Sequence, residues 1–134
     1  MSFNYLAALC AAVAAWIFGA IWYTVLAAPW KAALGWSAEQ IRTTKPQLPV
    51  GTMIVSFVAE FLMAAVLAIF LHAFEHPTWS RGALVGAHCW LGFVVTTIVV
   101  NNAFPGRKML LTVIDSGHWL GVLLIEGAVL GAMA

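Results

Sequence analysis

The stretch "IDSGHWLGVLLIEG", residues 114–127, is apolar enough to lie in a lipid bilayer, yet it carries Asp115, His118 and Glu126. It belongs to an apolar run over about residues 109–133. A helix needs ~20 such residues to cross the hydrocarbon layer, so this run is long enough. A charge near the bilayer centre costs at least ~2.5–3.5 kcal/mol, and such residues usually pair, neutralise or line a wet cavity. We therefore predict a membrane helix whose ionisable residues face other helices.

The whole chain has the composition of an integral membrane protein. Of its 134 residues, 63% are hydrophobic and only 8% are charged, whereas a soluble domain has roughly a quarter of its residues charged. The net charge of +1 gives no reason to expect nucleic acid as a partner, and the expected partner is the lipid bilayer. Cys10 and Cys89 lie in apolar runs and are interpreted as packing residues rather than as a disulfide.

Three further apolar runs, over about residues 5–28, 51–74 and 80–102, are long enough to span a membrane. The alternating pattern of a β-barrel does not appear. The N-terminal region has no basic segment of the kind that precedes a signal peptide core, so the first run is interpreted as an uncleaved span. The sequence predicts an all-α, four-helix transmembrane bundle that forms a single domain over residues 1–134.

The basic residues predict the orientation of this bundle, because cytoplasmic loops carry an excess of Lys and Arg. The second loop offers only Arg81. The first and third loops contain the other five basic residues, which are Lys31, Arg42, Lys45, Arg107 and Lys108. Loops one and three are therefore expected in the cytoplasm, and both termini on the opposite side.

The first loop is predicted to be a short cytoplasmic amphipathic segment. Pro29 suits the first turn of a short helix, and Ser37 with Gln40 has the spacing of a capping box for a second one. Aromatic rings collect at the headgroup level of a membrane. The residues interpreted as interface anchors are Trp22, Tyr23, Trp30 and Trp36. A docking surface is the alternative interpretation of this loop.

Small residues recur at helical spacing and predict close helix–helix contacts in lipid. The stripes are Ala7, Ala11, Ala15 and Gly19 on the first helix, Gly82 and Gly86 on the third, and Gly117 and Gly121 on the fourth. The spacing leaves open whether these contacts lie within one bundle or between subunits.

The three ionisable residues of the opening stretch fall within about 80° of one another on one helix face. Glu60 and His118 both lie ~13 Å from the predicted cytoplasmic helix ends, and His88 and Glu126 reach similar levels in the outer half. We therefore predict two polar layers, the first of Glu60, His118 and Asp115 and the second of His88 and Glu126.

Four interpretations of these residues remain open. Chains of Asp, Glu and His conduct protons or ions in transporters. Asp115 and His118 have the i, i+3 spacing of bundle metal sites, and His88 is a further weak metal candidate. Haem or a pigment bound by a histidine is a third possibility. The favoured interpretation is a satisfied polar network that fixes the helix register, without metal or cofactor.

Three segments resemble a known family of small bacterial membrane proteins, domain-of-unknown-function family 1761. The first is "FGAIWYTVLAAPWKAALGWS", in which a Gly precedes a Trp-Tyr pair and a Lys and a Trp follow. The others are "WLGFVVTTIVVNNAFPGRK" in the third span and "GHWLGVLLIEGAVLG" in the last. The resemblance covers nearly the whole chain. It implies four helices and a bacterial inner membrane, and it supplies no activity.

The sequence as a whole favours a multi-pass protein of the bacterial inner membrane without an enzymatic motif. We expect a scaffold or accessory subunit that assembles through its Gly and Ala stripes, as a homo-oligomer or within a larger membrane complex. The alternative is a small proton- or ion-conducting transporter or channel that uses the five polar residues. An intramembrane metal, haem or pigment site is the third.

Overall fold

The computed structural model describes residues 3–134, which form helices joined by short loops. A π-helical turn over Trp90–Val94 lies within the third of the four long apolar segments. The helices are α1 Tyr5–Val25, α2 Ala27–Ala33, α3 Ala38–Thr43, α4 Val50–Leu71, α5 Trp79–Cys89, α6 Val95–Ala103 and α7 Met109–Ala132. By length and composition, α1, α4, α7 and the continuous third span Trp79–Ala103 can each cross a membrane. The predicted all-helical architecture with four apolar spans is confirmed, and the orientation of the termini stays a prediction.

Side-chain caps start several of these helices. The Asn4 carboxamide oxygen accepts a hydrogen bond from the backbone N–H of Ala7 at 3.0 Å at the start of α1. The capping box predicted for α3 is confirmed, since Gln40 N–H donates to the Ser37 hydroxyl at 3.1 Å and the Gln40 side chain accepts from Ser37 N–H at 2.8 Å. Such bonds satisfy backbone donors that have no partner within the helix.

The last helix, α7, is the centre of the bundle. It packs against α1, α4 and α5, which belong to the other three spans. In its most apolar 18-residue stretch 44% of the residues are buried, whereas the corresponding figure for the third span is 6%. The opening stretch of the sequence therefore lies in the core helix, and the third span presents most of its surface outward.

Small residues bring these helices together. The alanines predicted on α1 are buried, and Ala7 and Ala11 form part of the apolar core with Leu67 of α4 and Leu123 of α7. On the other side of α7, a Cβ on Gly82 would overlap the backbone carbonyl of Gly127. The backbones of α5 and α7 are therefore in direct contact.

The remaining glycines of the predicted stripes also make contacts within the chain. Gly86 faces the Leu123 carbonyl, Gly117 faces the Trp22 ring and Gly121 faces the Phe18 ring. The stripes on α1, α5 and α7 are thus occupied by intramolecular packing, and none of them forms a free surface for assembly.

Candidate functional site: the polar groups inside the bundle

Asp115 lies in a cluster of hydrogen bonds where α7 meets the end of α1 and the short helix α2. The Tyr23 hydroxyl donates to Asp115 Oδ1 at 2.7 Å, and the Trp30 Nε1–H donates to the same oxygen at 3.1 Å. Bonds to a carboxylate oxygen are among the stronger ones in proteins. We call Asp115, Tyr23 and Trp30 the Asp115 cluster, and it ties three helices together.

Two further tryptophans bind backbone carbonyls of α7 on either side of Asp115. The Trp22 Nε1–H donates to the Ile114 carbonyl at 3.1 Å, and the Trp90 Nε1–H donates to the Ser116 carbonyl at 2.8 Å. A carbonyl oxygen has two lone pairs, so it can accept these bonds besides its helical one. Trp90 is the first residue of the π-helical turn, which places that turn at the contact with α7.

The residues predicted as interface anchors therefore differ in placement. Trp22, Tyr23 and Trp30 direct their polar atoms at α7. Trp36 is 37% exposed, and the Lys31 ammonium lies 5.3 Å from the centre of its ring. Trp36 is the most exposed of the four, and their placement at headgroup level stays a prediction.

His118 is buried among aromatic rings next to the Asp115 cluster. Its ring is nearly parallel to that of Phe18, with centres 6.2 Å apart, and its centre lies 4.9 Å from that of Tyr23. A Cβ on Gly19 would lie 2.7 Å from His118 Nε2, so the glycine leaves room for the imidazole. The Nδ1 atom is buried without a hydrogen-bond partner.

Glu60 of α4 and Glu126 of α7 form a second polar group, here called the carboxyl pair. Their side chains are 2% and 0% exposed, and Glu60 lies near Glu126 where α4 packs against α7. Oε2 of Glu60 and both carboxyl oxygens of Glu126 are buried and have no hydrogen-bond partner. The surrounding core is apolar and includes Ala64 and Leu123.

The two polar layers predicted from helix depth are not the arrangement that the structure shows. His88 is exposed on the outside of α5, where its Nδ1 lies 2.7 Å from the Leu84 carbonyl oxygen, so it is not brought to Glu126. Glu60 lies with Glu126 instead of joining His118 and Asp115 in one cluster. Depth counting assumes parallel, upright helices and does not include rotation about the helix axis, which explains the difference.

No site for a metal ion is evident in the described part of the chain. Among residues 3–134, no three His, Cys, Asp or Glu side chains are grouped so as to hold a metal ion. Cys10 and Cys89 are free thiols.

An apolar groove of about 320 Å³ lies between α4 and the third span, lined among others by Leu62, Phe70 and Phe93.

The hydrogen-bond partners of Trp22, Tyr23 and Trp30 were not predicted from the sequence. A buried Tyr or Trp usually finds a hydrogen-bond partner for its polar atom, and this rule could have directed Trp22, Tyr23 and Trp30 towards Asp115. Gly127 and Gly131 were also missed as contact residues, although their i, i+4 spacing is the pattern that identified the other stripes. Both face backbone atoms of α5 or of its cap, Thr78.

The Tyr23–Asp115 bond is expected to show measurable coupling. Tyr23→Phe and Asp115→Asn should each lower the free energy of unfolding by about 1–2 kcal/mol, because each weakens or removes a hydrogen bond between helices. Since both changes affect the same bond, the double variant should lose less than the sum of the two. The measurement is SDS-driven unfolding in mixed micelles, followed by circular dichroism.

Tyr5→Phe is the matched control for this cycle, because Tyr5 is 70% exposed. It should combine additively with Asp115→Asn. Additive losses for Tyr23→Phe and Asp115→Asn would show that this bond does not fasten α1 to α7.

These features define the class of the molecule as a polytopic, all-helical membrane protein with buried polar groups between its helices. The chain belongs to the family described as "Protein of unknown function (DUF1761)", whose model matches residues 6–131. No curated protein and no solved structure matched the chain. The family membership confirms the resemblance seen in the sequence and indicates no activity.

Proposed function

We propose that this protein is a non-enzymatic scaffold or accessory subunit of the bacterial inner membrane that associates with a second copy of itself through the third span. The single observation that supports this proposal is the small buried fraction of that span, 6% of its most apolar stretch. The start of this span packs closely on α7 through Gly82 and Gly86. No residue of Trp90–Val94 or α6 is buried, so this later part of the span has its surface available for another helix. The extramembrane helices α2 and α3 are short, so partners must be met mostly within lipid.

The exposed face of the third span carries groups that favour another protein chain over lipid. Phe93, Thr97 and Asn101 recur at i, i+4 spacing, which places them on one face, and all three are exposed. The Thr97 hydroxyl already donates to the Phe93 carbonyl at 2.6 Å. Asn101 lies near the end of the span at Ala103, and its exposed amide can bond a partner chain there.

A second copy satisfies that amide because the group is self-complementary. A carboxamide has both donor and acceptor atoms, so two copies related by a two-fold axis can exchange a pair of hydrogen bonds between their Asn101 side chains. Polar side chains such as Asn join helices in this way in membranes. The glycine and alanine stripes, in contrast, are occupied within the chain and do not serve this contact.

The transport alternative has less support from the geometry. The carboxyl pair and the Asp115 cluster are separate groups, since Glu126 and His118 are eight residues apart on α7, about 12 Å along the helix. His88, which belonged to the proposed path, lies outside the bundle. Reconstituted protein with an internal pH dye tests this alternative, with Glu60→Gln and Asp115→Asn as comparison variants.

Disulfide cross-linking in native membranes tests the self-association. In a background with Cys10→Ala and Cys89→Ala, Phe93→Cys and Thr97→Cys should give a cross-linked dimer upon mild oxidation. Val55→Cys on the exposed face of α4, 68% exposed, should not. Adding Asn101→Leu should weaken the dimer roughly tenfold, as expected for the loss of two interhelical hydrogen bonds.

Two results would contradict the proposal. A strictly monomeric protein in lipid nanodiscs, without cross-links at either position, rules out self-association. If Val55→Cys on α4 cross-links as well as Phe93→Cys and Thr97→Cys do, self-association does not use the proposed face of the third span.

A further inference from the structure

The carboxyl pair is the strongest unexplained feature of the molecule. Glu126 is fully buried between Leu123 and Leu130, one turn away on each side of it on α7, and neither of its carboxyl oxygens has a hydrogen-bond partner. Glu60 approaches from α4 and is nearly as buried. Two neighbouring carboxyl groups that are shielded from water and lack a cation or donor cannot both be ionised at low energetic cost.

A cation bound by the carboxyl pair would therefore have to neutralise its negative charge while using only the few oxygen ligands that the two groups supply. Calcium takes 6–8 oxygen ligands and magnesium requires six in octahedral geometry, whereas two carboxyl groups supply at most four. Within the described residues no third His, Cys, Asp or Glu joins Glu60 and Glu126 to make a metal site. A proton needs only one oxygen atom, so it fits the site that a metal ion does not.

We infer that the carboxyl pair is an intramembrane proton-binding site, with the proton on Glu126 and Glu60 as its neighbour. The proton comes from the aqueous phase when α4 packs against α7, and it returns there when the two helices separate. The inference goes beyond self-association and does not depend on it, since the site lies inside one chain. It also describes equilibrium binding and requires no transport.

Other titratable groups do not supply a substitute for the proton. On the helices that pack around the pair, these groups are Tyr5, Cys10 and Tyr23 of α1, Arg81, His88 and Cys89 of α5, and Asp115 and His118 of α7. Arg81, at the start of α5, is exposed and donates to the His76 carbonyl instead of a carboxyl group. His88 is also exposed. No cation therefore reaches the carboxyl pair from any of these elements.

Infrared spectroscopy of the protein in lipid at neutral pH tests the inference, because the carbonyl stretch of a neutral carboxylic acid is separate from that of a carboxylate. The wild-type protein should show the acid band, and labelling with [5-¹³C]glutamate should shift it. Glu126→Gln should abolish the band. Glu60→Gln should retain it, and Glu75→Gln, an exposed loop change, serves as the matched control.

Each infrared result either supports or overturns the assignment of the proton to Glu126. Absence of the acid band in the wild type, its persistence in Glu126→Gln, or its loss in Glu60→Gln overturns the assignment to Glu126. If Glu126→Gln does not fold, as judged by circular dichroism, the labelled wild type and Glu60→Gln still decide. A glutamate-derived acid band in both supports Glu126, because the remaining glutamates, Glu39 and Glu75, are exposed.

Discussion

Replacing Gly82 with alanine is expected to lower the free energy of unfolding by about 3 kcal/mol. The added Cβ would overlap the Gly127 carbonyl, and a backbone group cannot turn aside as a flexible side chain can. Overpacking in a filled core typically costs about 1–3 kcal/mol. Where two helix backbones are in contact, we expect the cost to lie at the upper end of this range. Gly127→Ala should have a similar effect, because its Cβ would overlap the Gly82 carbonyl. SDS-driven unfolding in mixed micelles measures both.

Gly51→Ala is the control for these two changes. Gly51 lies in the first turn of α4, and a Cβ there would meet no other atom within 4 Å. Alanine is the better helix former by ~1 kcal/mol, so this variant should be as stable as the wild type or slightly more stable. If the Gly82→Ala variant proved as stable as the Gly51→Ala variant, that result would contradict a direct backbone contact between α5 and α7.

The second large effect is a stabilisation. Replacing both Glu60 and Glu126 with leucine should raise the free energy of unfolding by about 1–3 kcal/mol, because a buried polar group without a hydrogen-bond partner costs about that much. Both sites lie in an apolar core, and the buried carboxyl oxygens have no partners to lose. The same unfolding assay measures it, with Glu75→Leu as an exposed control that should change little.

The sign of this effect is informative. A stabilised double leucine variant means that Glu60 and Glu126 do not serve the stability of the bundle, so that another role must account for them. A loss of stability greater than that of the double glutamine variant would instead show that the carboxyl groups hold α4 against α7. That result would contradict the unpartnered state on which the prediction rests.

Much of the architecture was predictable because it depends on local sequence. The four spans were placed within about three residues of the helices α1, α4, α5–α6 and α7, since the length of an apolar run and the need to satisfy backbone groups in lipid leave few choices. The capping box of Ser37 and Gln40 was predictable for the same reason, as it involves residues only three positions apart.

The candidate site was predictable only as a set of residue types. Asp115, His118, Glu60 and Glu126 were recognised as unusual in an apolar chain, and the structure places all four inside the bundle, at least partly shielded. Their neighbours were not predicted. Tyr23 and Trp30 were predicted as interface anchors, and their hydrogen bonds to Asp115 were not foreseen. His88 was expected beside Glu126 but lies outside the bundle.

The sequence by itself determined that this chain is a helical membrane protein, because hydrophobicity and helix length are properties of consecutive residues. Only the tertiary structure decided that Glu60 lies near Glu126, that Asp115 is bound by Tyr23 and Trp30, and that the glycine stripes pack within one chain. These pairings depend on the rotation and tilt of each helix about its neighbours. Rotation and tilt follow from how all four spans pack together, and no single segment specifies them.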